Sequence, residues 1–230
     1  MISETNFSRG YSSFWIEYFP WLNSYCQSIT KYSLKHVHSV PNQAECPEHR
    51  GINNTLAFFH FRNLNSNINY DIESSKEEAL KYMERFPRNN VNTYKFSTID
   101  QKVISFQIEK LRSKYSKDLI ISPFFPGCGI IDNCYGDIIQ ENKLVEIKAG
   151  ERNIAPSDIK QLIVYTVLNW LSGSTTYKLD HLEIYNPRVG YLWNNSIDDL
   201  LVSITDIPKE DIFDQFTKYL ITQSEDVELN

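Results

Sequence analysis

The stretch YGDIIQENKLVEIKAG, Tyr135 to Gly150, constrains this chain most, because it sets two acids and a lysine inside a pattern that otherwise belongs to a buried β-hairpin. A two-residue turn at Glu141–Asn142 is expected, with Asn142 tolerating the positive φ such turns ask for. Gln140 then faces Lys143, Ile139 faces Leu144, Ile138 faces Val145 and Asp137 faces Glu146. Side chains alternate along a strand, so Asp137, Glu146 and Lys148 share one face while Ile138, Val145 and Ile147 share the other, expected to be the core face.

Like charges directly across a sheet destabilise it. A divalent cation compensates: hard Mg²⁺ or Mn²⁺ takes carboxylates, a backbone carbonyl and waters, so the expected metal set is Asp137, Glu146 and the carbonyl of Ile147. Lys148 beside that ion stabilises developing negative charge or orients the attacking water. The plain alternative is a solvated face whose charges form a weak surface salt bridge.

The chain's 230 residues suffice for a full core without disulfides or oligomerisation, in one elaborated α/β domain or two small domains. No apolar run reaches the length of a membrane span and no signal-peptide pattern opens the sequence, so a cytoplasmic protein with no membrane partner is expected. Cys26, Cys46, Cys128 and Cys134 include no C-x-x-C pair and read as free thiols. The net charge of −6 argues against bulk electrostatic binding of nucleic acid, although a local basic patch can coexist with it.

Residues 1–97 form an aromatic- and Asn-rich region. Early helical material is interrupted at Pro20, and a helix over Ser75–Phe86 is capped by Ser75 and followed by Pro87. From residue 98 the order is regular: a helix carrying Val103, Phe106, Ile108 and Leu111, a strand in KDLIISPFF, strands in GIIDNCYGDIIQ and KLVEIKAG, a helix from Pro156–Ser157, strands in LDHLEIYN and RVGYLW, then helices over Ile197–Ile204 and Lys209–Ile221.

GDII…LVEIKAG followed by DIKQLIVYTVL resembles the core of the PD-(D/E)xK nuclease superfamily, the fold of many restriction endonucleases and RecB-like exonucleases, over residues 98–193. Asp137 matches the first acid, Glu146-Ile147-Lys148 the (D/E)-x-K element, and Gln161 with Tyr165 the Q-x-x-x-Y element of RecB-like members, one helical turn apart. Asp132, in GIID, also resembles the RecB-like form of the first acid; the hairpin count favours Asp137 and leaves Asp132 as an accessory. Glu109 is the best-placed residue for a further glutamate on the preceding helix, although its reading as a solvated helix residue is favoured.

The resemblance implies a mixed β-sheet flanked by helices, with residues 98–230 as the nuclease-like domain and residues 1–97 as a mainly helical recognition or partner region. It also implies a Mg²⁺-dependent (or Mn²⁺-dependent) nuclease acting on nucleic acid, DNA in the first place, in a restriction or anti-phage defence setting. Gln161 should then point at the edge of the metal site, with Tyr165 one turn further on. The alternative in a different class is a catalytically silent nuclease-fold module in a multi-protein defence complex.

His36, His38, Cys46 and His49 crowd into KHVHSVPNQAECPEHR, but the arrangement matches no zinc signature and an exposed loop is expected rather than a structural zinc. Arg188, in NPRVG, reads as a turn residue rather than a phosphate clamp, and the aromatics of residues 11–32 as core or interface. No G-x-x-x-x-G-K-[ST] loop is present.

Overall fold

A computed structural model describes residues 1–40, 45–66, 71–85, 94–173 and 177–228. The architecture is mixed α/β: a six-stranded sheet with helices on both faces. The chain opens with three short helices, α1 (Glu4–Arg9), α2 (Ser12–Tyr18) and α3 (Leu22–Ser28), followed by a π-helical turn and the two-residue strand β1 (Lys35–His36). Two longer helices follow, α4 (Arg50–Leu64) and α5 (Ile72–Met83), then α6 (Thr98–Lys114), β2 (Leu119–Ile121), β3 (Phe124–Phe125), β4 (Cys134–Tyr135), β5 (Ile138–Gln140) and β6 (Lys143–Ile147). The remainder is α7 (Pro156–Leu171), β7 (His181–Asn186), β8 (Tyr191–Ser196), α8 (Ile197–Ile204) and α9 (Lys209–Glu228).

The sheet order is β1-β8-β7-β6-β5-β2, with β6 and β7 parallel and every other pairing antiparallel. The parallel pair follows from the α7 crossover, since parallel neighbours cannot be joined by a tight turn. The hairpin has the expected register, Ile138 opposite Val145, Ile139 opposite Leu144 and Gln140 opposite Lys143. Its positive φ, however, falls on Glu141 at 57°, not on Asn142.

Both faces of the hairpin are core. Ile138 and Val145 pack with Phe61 of α4, Leu111 of α6 and Tyr115, whereas Ile139 and Leu144, on the face that carries the acids, join Leu162, Val164 and Leu168 of α7 in the largest cluster. The expectation of one core face and one polar face is thus corrected: the acids stand at the end of a covered face. Helix α7 is apolar almost all round because it lies between the sheet and α1, α3 and α9. Phe14, Trp15 and Phe19 fill the same cluster, as expected of core aromatics, and Phe7 joins them, while Trp21 and Tyr32 are exposed.

Several boundaries differ from the sequence reading. Helix α5 begins at Ile72, capped by the Asp71 carboxylate accepting from Ser74 N at 2.8 Å. Ser75, the expected cap, is buried inside it and accepts from Asn63 Nδ2 at 3.2 Å. Phe86 and Pro87, expected at its end, lie outside the described residues. On α6, Val103, Ile108 and Leu111 are buried as expected, but Ile104 replaces Phe106, which lies against the His38 ring at 5.4 Å. GIIDNCYGDIIQ is broken into β4 and β5 at Gly136 and Asp137, with the bend on Asp137; an added Cβ at Gly136 would come within 3.1 Å of the Phe125 ring. KDLIISPFF stops as a strand at Ile121, before Ser122 at φ 55°. Helix α9 continues beyond Ile221 to Glu228, so most of the acidic tail is helical. Among the described residues no helix is long and apolar enough to cross a membrane.

Candidate active site

Asp137 lies just before β5, where the ladder gives way to a side-chain contact: Ile147 N donates to Asp137 Oδ2 at 2.7 Å. The register carried one residue past Ile138 and Val145 sets Asp137 opposite Glu146. Both acids line one cavity of about 820 Å³ at the end of the sheet, together with Ile147. In a strand a residue's N–H and C=O face the same neighbour, so the Ile147 carbonyl faces the Asp137 side as well.

Glu146 is only 6% exposed, and its Oε1 accepts from Lys148 Nζ at 2.8 Å. The same ammonium donates to Gln161 Oε1 at 2.9 Å and lies 3.6 Å from Asp158 Oδ1. Asp158 in turn takes both guanidinium arms of Arg152, at 2.6 and 2.7 Å, and caps α7 by accepting from Ala155 N at 2.9 Å. Lys148 therefore does not stand free beside Asp137. It is turned toward α7, at a small cleft of about 20 Å³ shared with Ser8 and Arg9.

Gln161 and Tyr165 meet on the site side of α7, with Gln161 Nε2 donating to the Tyr165 hydroxyl at 2.9 Å. Tyr165 donates to the Tyr135 carbonyl at 3.2 Å. Both approach Glu4 Oε1 of α1, Gln161 Nε2 at 3.2 Å and the Tyr165 hydroxyl at 3.3 Å. Tertiary packing thus adds Glu4 to the group; no local pattern marks it in the sequence, because only the docking of α1 on α7 brings it there.

Burial, and then the charge of Glu146, raise the Asp137 carboxyl well above the usual range. Burial likewise raises Glu146 against the opposing pull of Lys148. For Lys148 burial lowers and Glu146 and Asp158 raise, with the net effect upward, so the ammonium stays charged.

Among the described residues Asp137 Oδ1 and Glu146 Oε2 accept no hydrogen bond within the protein. Two such oxygens and a carbonyl at one cavity, on carboxyls whose ionisation is opposed by burial, fit a hard divalent cation. No three His, Cys, Asp or Glu side chains converge as a metal shell among the described residues, so that set has to be completed by water.

The other candidates lie elsewhere. Asp132 is exposed, its N–H donating to Ile2 O at 2.9 Å, and Glu109 is exposed on α6 beside Lys110. The histidines and cysteine of the 36–49 window are dispersed: His36 and Cys46 are exposed, His38 packs on Phe106 and Tyr185, and His49 Nδ1 lies 3.1 Å from Asp100 Oδ2.

Arg188 is more than a turn residue. It is buried, pairs with Glu45 at 2.5 Å, and donates to Asn54 Oδ1 from Nη2 at 2.6 Å. Asn54 Nδ2 reaches on to the Ala149 carbonyl at 2.8 Å, and Asn186 Nδ2 to the Gly150 carbonyl at 2.7 Å. The loop that follows Lys148 is thereby tied to α4 and to the β7–β8 turn. The asparagines gave no signal in the sequence, since their partners lie 95 positions away for Asn54 and 36 for Asn186. Comparison with protein-family models, with curated proteins and with solved structures finds no match to this chain.

Proposed function

We propose that this chain is a metal-dependent phosphodiesterase acting on nucleic acid, DNA in the first place. The observation that carries the reading is that Asp137 and Glu146 line one cavity, with Lys148 bound to Oε1 of Glu146. Asp137, Glu146 and the Ile147 carbonyl would hold a Mg²⁺ or Mn²⁺ ion, which when bound would supply Lewis-acid activation of water and neutralise charge on the phosphate.

The chain's own residues prepare that arrangement. Ile147 N–H fixes the Asp137 carboxylate, and Lys148, bound to Glu146 Oε1, opposes the rise that burial imposes on that carboxyl. Gln161 orients Lys148 from α7, and Tyr165 and Glu4 orient Gln161. Lys148 and Gln161 are therefore positioning residues in this geometry, acting through Glu146.

The test is cleavage of labelled single-stranded and duplex DNA and RNA by the full chain, with Mg²⁺, with Mn²⁺ and with chelator. Loss of metal-dependent cleavage in Asp137→Asn and Glu146→Gln is expected. A folded Asp137→Ala protein cleaving at the unchanged rate would remove the proposal.

The engagement of Lys148 by Glu146, Gln161 and Asp158 favours a second reading, a catalytically silent binding or assembly module. That reading is selected if no substrate is cleaved by the chain alone or with candidate partners while Asp137→Asn leaves partner binding intact.

A further inference from the structure

The wall facing Asp137 across the cavity is made by α4 and α5, and its composition departs from that of the chain. Arg62, Lys81 and Arg85 all line it, in a protein whose net charge is −6. Among the described residues an acidic partner is seen for Arg62 alone, Glu78 at 2.5 Å. Aromatic rings lie between these cations: the Arg62 guanidinium is 4.3 Å from the Phe59 ring centroid, Phe59 meets Tyr82 edge-on at 5.3 Å, and Arg85 lies 5.9 Å from the Tyr82 ring. Tyr82 is 39% exposed. On the sheet side the same cavity is lined by Tyr135, which is 62% exposed and immediately precedes Gly136 and Asp137.

Cations alternating with ring faces suit a ligand that alternates phosphates with flat bases. The rings also discriminate. Inside a duplex the faces of each base are covered by its neighbours, so an aromatic wall has nothing to stack on, whereas an unpaired base offers its whole π-face. Phosphate contact alone would favour the duplex, with its denser charge. An elaboration built only to hold duplex DNA would need the cations and not the exposed tyrosines.

We propose that this cavity seats unpaired nucleotides, with a single-stranded segment lying between Tyr82 of α5 and Tyr135 of β4 and its phosphates meeting Lys81 and Arg85. The proposal rests on the phosphodiesterase reading of the cavity's carboxylate end and specifies the substrate form presented to it.

The experiment is fluorescence anisotropy of the full chain, in chelator so that nothing is cleaved, with a labelled single-stranded oligonucleotide and with a labelled duplex of the same length. Metal-dependent cleavage of both probes is measured separately. The single strand should bind about tenfold tighter than the duplex, and Tyr135→Ala should remove about tenfold of that affinity, the scale of one stacked base. Tyr135→Phe, which keeps the ring, should retain it. Arg85→Glu should weaken the single strand and reduce the salt dependence of binding, with thermal melting unchanged.

Equal or tighter binding of the duplex, no binding of either probe, or equal affinity for Tyr135→Ala and the unaltered chain would overturn the proposal. Cleavage that shows no preference for the single strand would overturn it while leaving the phosphodiesterase reading in place. Selective single-strand binding without cleavage would support the wall and remove that reading instead.

Discussion

Replacing Glu183 with Gln would leave two ammonium groups without their shared partner, since Lys143 and Lys114 approach its carboxylate at 2.9 and 3.1 Å and Tyr115 donates to it at 2.5 Å. Burial alone would raise this carboxyl, but the Tyr115 hydroxyl and the two lysines overcome it and hold it below the usual range. A depressed carboxyl stabilises the fold above its unfolded value of about 4.3 and loses that contribution as pH falls through the folded value. Glu183→Gln should therefore cost about 2 kcal/mol at pH 7, with a difference from the unaltered protein that shrinks below about pH 4, as read by denaturant melts across pH. At the site the sign is opposite, because Asp137 and Glu146 are raised. Protons and a cation then compete for the same oxygens, so Mn²⁺ should raise the melting temperature more at pH 8 than at pH 6 and not at all in Asp137→Asn; a Mn²⁺ shift that survives in that variant would place the ion elsewhere. Gln161→Ala should lower cleavage by roughly 10- to 100-fold while changing stability by about 1 kcal/mol. Equal rates for Gln161→Ala and the unaltered chain would mean that the hold on Lys148 is not needed.

Helix α4 joins the buried face of the sheet to the loop after Lys148, through Asn54. Asn54→Ala should release the Ala149 carbonyl and leave the Arg188 guanidinium with Glu45 alone, costing about 1–3 kcal/mol. Cleavage should fall further than the stability loss explains, and a rate that follows only the folded fraction would show that the loop needs no tether. This helix was the hardest element to read. Its sequence RGINNTLAFFHFRNL carries a glycine and three asparagines, residues that disfavour helix interiors, and tertiary burial of Ile52, Leu56 and Phe61 overrides them. By contrast, the hairpin and α7 were legible, because alternation along 138–147 and an apolar run after Pro156 are local signals. Asp137, Glu146, Lys148, Gln161 and Tyr165 all sit on those elements or at their ends, and they do come together. Glu4, Asn54 and Tyr82 sit on helices whose placement is set only by packing, and the sequence does not reveal them.

At the scale of the whole molecule, the first residues are built into the site's surroundings: Ile2 bridges Ile131, and β1 extends the sheet beside β8. The aromatic cluster of α1 to α3 merges with the core of α7 and α9. The coarse class, a mixed sheet flanked by helices, followed from the order of periodic segments after residue 98. The strand at Lys35–His36 did not, because two residues carry no periodicity. The parallel pairing of β6 with β7 also carries a consequence in time. The β5–β6 hairpin can close within microseconds through its own turn, whereas β7 must wait for the whole α7 crossover to be placed, and loop closure over that span is slow. During refolding Asp137 and Glu146 are therefore brought face to face before the helix that supplies Gln161 has docked. In that interval their mutual repulsion opposes the hairpin, and the refolding limb of the chevron should quicken on Asp137→Asn.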